Sequence, residues 1–198
     1  MTKPRSLAAP TKQNPIAPVK FGHVVLRTGN MPRLRDWYLC VLSARVSYQN
    51  EQVSFLTYDD EHHRVGIVQF PDIAAGSGLN TGLEHLSFTY RDLGALLATY
   101  QRLKGSAIEP FWSINHGPTI SLYYRDPDGN KVELQVDVFA TTEATNAFLE
   151  RNYPENFMGI IFDPEQMIRD YEHGMPLEEL YRRPPLPEGM TPWDMHRP

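Results

Sequence analysis

The sequence predicts an α+β fold of two successive βαβββ modules, followed by a C-terminal helical extension. Three observations carry this expectation. The order strand, helix and three further strands runs twice along the chain. The first strand of each run holds a histidine at the same place, His23 and His85. Nine of the 17 prolines lie in residues 1–20 and 181–198, and proline can join neither a ladder nor a helix interior. The expected organisation is a proline-rich arm over 1–20 and a domain over 21–138, with modules at 21–70 and 82–138. An extension over 139–198 completes it. A four-stranded unit of this size cannot bury both its faces, so the two modules are expected to pack around a shared concave surface.

The elements follow in order. Phe21–Thr28 is β-rich and stops at Gly29-Asn30, which predicts a strand. Met31–Leu42 carries apolar residues at helical spacing, with Asn30 as cap and Pro32 in the first turn. Strands are expected over Ala44–Tyr48, Val53–Tyr58 and Arg64–Phe70, then a linker over 71–81. The order recurs with a strand over Gly82–Tyr90 and a helix capped by Asp92 that stops at Gly105. Three strands are then expected, over Ala107–Phe111, Thr119–Arg125 and Lys131–Val136, with a turn at Asp126-Pro127-Asp128-Gly129. About two helices are expected beyond, over Thr141–Arg151 and from Asp163 to Gly174.

Composition narrows the chemistry. Apolar residues at 41% and charged residues at 22% are the balance of a globular protein. A net charge of −5 with no Lys/Arg run argues against nucleic acid or an anionic membrane as partner. A single cysteine, Cys40, removes thiolate-rich metal sites and internal disulfides, and reads as a small core residue. No apolar run reaches the ~18 residues of a membrane span. Met1-Thr2-Lys3-Pro4-Arg5 shows no secretory signal, so a cytoplasmic protein is expected. Polar chemistry must come from seven histidines and the carboxylates.

A lone histidine on a strand is more often a hydrogen-bonded core residue. Two at equivalent places in two modules are different, because paired imidazoles have little purpose unless a cation binds between them. Glu133 supplies a third donor. It lies between apolar neighbours in Lys131-Val132-Glu133-Leu134, and glutamate is almost never buried unless paired or ligating. Two histidines and a carboxylate with open positions form the donor set of non-haem iron(II) sites. Aligning the module ends places Gly66 opposite Glu133, so module one offers one ligand and module two offers two. An open face remains for a substrate that chelates through two oxygens, and for dioxygen. His116 and Tyr123 could hydrogen-bond or deprotonate a bound phenol, Tyr123 lying across the expected hairpin from Glu133. Phe70, Phe111, Trp112 and Tyr124 could line an apolar pocket.

The paired units, Phe21-Gly22-His23, Gly82-Leu83-Glu84-His85 and the run HGPTISLYYRDPDGNKVEL from His116 to Leu134 resemble the vicinal oxygen chelate superfamily. The resemblance covers about residues 20–138, and the last run looks most like the type I extradiol catechol dioxygenases. It implies a half-barrel fold and Fe(II)-dependent ring cleavage of a catechol-type diol by dioxygen. It further implies His23, His85 and Glu133 as metal ligands, with His116 and Tyr123 contacting the catecholate. The acid–base histidine of such enzymes has no counterpart here, since the corresponding region reads Gln69-Phe70-Pro71. His62 and His63 read as turn residues. Two other readings stand beside this one. One is a lyase, isomerase or thiol transferase of the same scaffold using Ni, Zn or Mn; the other is a module that binds an aromatic ligand without chemistry. The extension is expected to cover the pocket mouth or to form a homodimer.

Overall fold

A computed structural model describes residues 17–73 and 81–198; most of the expected arm and the centre of the expected linker lie outside the described residues. Module one runs β1 (Val24–Thr28), α1 (Met31–Leu42), β2 (Arg45–Gln49), β3 (Val53–Thr57) and β4 (Val65–Gln69). Its sheet has the order β1-β4-β3-β2, with β1 and β4 parallel and the other pairs antiparallel. Module two repeats it as β5 (Leu86–Thr89), α2 (Leu93–Lys104), β6 (Trp112–Asn115), β7 (Thr119–Arg125) and β8 (Lys131–Asp137). The order β5-β8-β7-β6 has the same sense. The two βαβββ modules are therefore as expected.

Their boundaries depart where local chemistry overrides propensity. The second strand of module two begins at Trp112, not in Ala107–Phe111. Ala107 sits at φ 57°, and the chain after α2 still bonds back to Leu103 and Lys104. Pro110 has no N–H to give a ladder. The strand expected from Gly82 begins at Leu86, where it first meets Val132 of β8. His23 and His85 thus sit immediately before their strands and not within them.

Alternation sorts the strands into two faces. Leu26, Leu56, Val65 and Ile67 of module one, and Ile120, Leu122, Val132 and Leu134 of module two, turn to the helices and join one core with Leu34, Tyr38, Leu96 and Leu103. Cys40 packs partly buried against that core, as its reading as a small core residue expects. Both helices share this core, which locks the modules together. Tyr38, fully buried, donates from its hydroxyl to Asp126 Oδ2 at 3.1 Å. Arg102 of α2 donates to the carbonyls of Cys40 and Val41 at 2.6 and 3.1 Å, satisfying free acceptors at the end of α1. Asp126 keeps Asn130 and the Asp128 amide as donors, so Tyr38→Phe is expected to lower unfolding stability by only about 1 kcal/mol. Urea unfolding measures this; a loss several times larger would mean the contact organises more than one bond.

The extension holds more than two helices: α3 (Thr142–Asn152), β9 (Ile160–Ile161), α4 (Pro164–Glu172), α5 (Leu177–Tyr181) and a 3₁₀ turn over Pro192–Met195. β9 adds to the β6 edge. Met195 is buried in a second cluster with Trp112, Ile114 and Tyr123, on the sheet face opposite the helices. None of the described helices is long and apolar enough to cross a membrane.

Candidate metal centre and substrate pocket

Glu133 points to the face of the second sheet that the helices leave free, and it is 4% exposed. The register sets Ser87 beside it on β5 and Tyr123 beside it on β7, as the hairpin predicts. The Tyr123 hydroxyl donates to its Oε1 at 2.9 Å, and Oε2 faces His85 Nε2 at 3.1 Å. Burial alone would raise this carboxyl, but hydrogen bonds from His85, Ser121, Ser87 and Tyr123 outweigh it and hold the pKa at about 2. The bond to Glu133 leads the causes that lift His85 to about 9, against desolvation and with help from Glu84. Glu84 in turn accepts from Lys131 Nζ at 2.6 Å. An imidazole nitrogen and a buried carboxylate oxygen aimed at one another share positive charge between them, the place a divalent cation can take. That donor chemistry fits a metal ion.

His116 reaches the same group from the loop between β6 and β7. Its Nε2 lies 3.1 Å from the Tyr123 hydroxyl, and its Nδ1 bonds the Met158 carbonyl. A carbonyl only accepts, so Nδ1 carries the ring proton and Nε2 presents a lone pair. Burial, the largest cause, pushes the His116 pKa below its ordinary value, which keeps the ring neutral near pH 7. The Tyr123 hydroxyl then has one proton for two acceptors, Glu133 and His116. The line is one proton short. Burial and the Glu133 charge raise the Tyr123 pKa well above the usual phenol range, so Tyr123 holds its proton.

Gly117 sets the loop that aims His116. Its φ is +100°, and a Cβ there would stand 2.2 Å from the Phe148 ring. Gly117→Ala combines left-handed strain of about 1–2 kcal/mol with displacement of Phe148. It is expected to lower the melting temperature and weaken the His116 contact together; an unchanged melting curve would contradict that placement.

Trp112 stacks on Tyr123 with ring centroids 4.5 Å apart. A cavity of about 290 Å³ is lined by His85, Trp112, His116 and Tyr123, and by Met158, Trp193 and His196 of the extension. The last three were not legible in the sequence, because the extension carries no motif; the aromatics among its prolines were the one signal. Of the other aromatics named from sequence, Tyr124 is fully buried on the helix side and Phe70 is exposed. The Phe111 ring is covered by Arg125.

Module one carries the matching frame. Val25 pairs Gly66 where Ser87 pairs Glu133, so Gly66 occupies the glutamate's register position. A side chain there would meet Val25 at 3.3 Å. His23 lies beside His63, ring centroids 4.1 Å apart, with His62 at 6.1 Å. His63 is buried against Phe55 at 4.4 Å, and burial leads the causes that lower its pKa. Among the described residues no three His, Cys, Asp or Glu side chains converge on one metal position. The structure thus joins His85, Glu133, Tyr123 and His116, and sets His23 with His62 and His63. Phe21 and Val24, which flank His23 closely, nevertheless line a hollow of about 310 Å³ with His85 and Ser87 at the seam of the modules. Gln69, where the resemblance lacks its acid–base histidine, accepts from the Met31 amide at 2.8 Å and donates to the Gly29 carbonyl at 2.7 Å. It holds the β1–α1 turn.

The model of the Glyoxalase/Bleomycin resistance protein/Dioxygenase superfamily matches residues 20–134. Biphenyl-2,3-diol 1,2-dioxygenase 2 of Rhodococcus globerulus is 41% identical over 163 residues, covering 81% of this chain and 86% of that protein. Biphenyl-2,3-diol 1,2-dioxygenase 3 of the same organism is 42% identical over 171 residues, covering 83% and 88%. Among solved structures, a glyoxylase/bleomycin resistance protein/dioxygenase domain from Frankia sp. EAN1pec aligns with a TM-score of 0.52 at 17% identity. It covers 61% of this chain and 99% of that domain, a likeness of fold.

Proposed function

The chain belongs to the Glyoxalase/Bleomycin resistance protein/Dioxygenase superfamily, and we propose that it is an extradiol dioxygenase that opens the ring of an aromatic diol. The observation that carries this reading is the identity above 40% to two biphenyl-2,3-diol dioxygenases over more than four-fifths of the chain. The arrangement of His85, Glu133, Tyr123 and His116 supports it. A catalytic metal accompanies this chemistry, and the reading takes it to be iron(II), held by His85 and Glu133, with His23 as the third ligand. In support, His23 and His85 directly precede equivalent strands, and Phe21 and Val24 on either side of His23 line the seam hollow together with His85. Bound there, iron(II) supplies the redox chemistry through which the diol ring reacts with dioxygen.

The chain's own residues bind the diol and manage its protons. Gly66, at the register position of Glu133, offers no side-chain ligand, which leaves room for two substrate oxygens. The missing proton in the Tyr123 line has a source in the substrate. A diol hydroxyl reaching His116 Nε2 can give its proton there, and Tyr123 then keeps its own on Glu133. Trp112 and Met158 supply the apolar surface that a flat ring needs and help exclude water. The test is oxygen uptake by anaerobically iron-loaded protein with a panel of monocyclic and bicyclic catechols. Uptake with a yellow ring-opened product is expected. No uptake on any catechol would sink the proposal.

A further inference from the structure

We infer that Trp193 is a specificity-determining residue that receives the part of an aromatic diol remote from its hydroxyls, so that the extension sets the preference for bicyclic substrates. The inference rests on the dioxygenase reading and goes beyond the family match, which ends at residue 134. The cavity has a polar end and a ring-lined end. His85, His116 and Tyr123 lie together at the first, with His85 5.4 Å from Tyr123; from Tyr123 the rings run outward to Trp112 at 4.5 Å, then His196 at 5.5 Å, then Trp193 at 6.3 Å. A diol anchored by its oxygens at the polar end must direct its carbon skeleton toward the rings.

The outer wall is built, not loosely draped. Met195, 6% exposed, fixes the turn into the cluster around Trp112. Asp194 Oδ2 accepts from the Thr191 amide at 2.7 Å and from its hydroxyl at 2.8 Å, closing a capping box. Arg125 donates to the Pro198 carbonyl. His196 stands edge-on to both indoles, 5.5 Å from Trp112 and 6.3 Å from Trp193. Trp193 itself is 66% exposed, with Phe157 edge-on at 5.2 Å. An indole on an anchored turn that borders the cavity and remains mostly uncovered has surface to give a second ring.

The experiment compares catechol with biphenyl-2,3-diol on the iron-loaded full chain, unmodified and as Trp193→Ala and Trp193→Phe. Trp193→Ala is expected to lower kcat/KM for biphenyl-2,3-diol about tenfold, the equivalent of about 1.4 kcal/mol, chiefly through KM. Catechol turnover should fall far less than that of biphenyl-2,3-diol, and Trp193→Phe should restore most of the loss. Equal losses on both diols, or none on the bicyclic one, would overturn the inference. Biphenyl, which cannot chelate, separates this from the dioxygenase reading. If the unmodified chain turns over neither diol, that reading falls, and biphenyl binding still decides on Trp193. Binding weakened by Trp193→Ala upholds the aromatic subsite; unchanged binding overturns it.

Discussion

Glu133→Gln is expected to abolish metal retention and oxygen uptake together. The substitution keeps the side chain's shape and leaves an acceptor for the Tyr123 hydroxyl. It removes the charge that His85 Nε2 faces at 3.1 Å in a nearly sealed position. Breaking a buried pair from one side costs about 3–5 kcal/mol, and 3 kcal/mol is already a factor above a hundred in affinity. Metal analysis after desalting and an oxygen electrode read the two losses; retention of both would contradict the role given to Glu133. The metal-free protein offers a second readout. The Glu133 pKa is depressed to about 2, so its share of stability is present above the ordinary 4.5 and lost as pH falls toward 2. The His85 pKa is raised to about 9, so its share is present below the ordinary 6.5 and lost as pH rises through 9. Glu133→Gln should flatten both edges of the stability profile.

His116→Asn is expected to lower kcat by about 10²–10⁴, the usual worth of a positioned base, with metal content unchanged. Asparagine can still donate to the Met158 carbonyl, as Nδ1 does, but places nothing at Nε2. Burial lowers the His116 pKa, and the neutral ring is the base. Activity in the unmodified protein should therefore climb as pH rises through a value below the usual histidine pKa, and the variant should lack that acid limb. A variant that lost metal, or kept the limb, would show that His116 acts otherwise.

The residues that made the fold legible were those whose signals are local. Asn30 and Pro32 open α1 at its observed start, and the turn at 126–129 between Thr119–Arg125 and Lys131–Val136 set Tyr123 across the hairpin from Glu133, its observed ladder partner. The Gly66 alignment has its counterpart in the ladder register. Local signals misled where backbone geometry intervened, at Ala107 and Pro110, which delay β6. The site was legible within a module and less so between modules. Pseudo-symmetry tells that His23 and His85 are equivalent; it does not tell how the two sheets turn toward each other, nor that His23 would lie beside His63. Trp193, Met195 and His196 were illegible for a different reason. Their role comes from the path of the extension around β6, and no spacing near them records it.

An extradiol dioxygenase puts both atoms of dioxygen into the opened diol ring. Incubation of the iron-loaded chain with biphenyl-2,3-diol under isotopically labelled dioxygen, followed by mass spectrometry of the quenched product, tests it most directly. A ring-opened product carrying two labelled oxygen atoms is expected. An unlabelled quinone, or an intact diol with no dioxygen consumed, would contradict it.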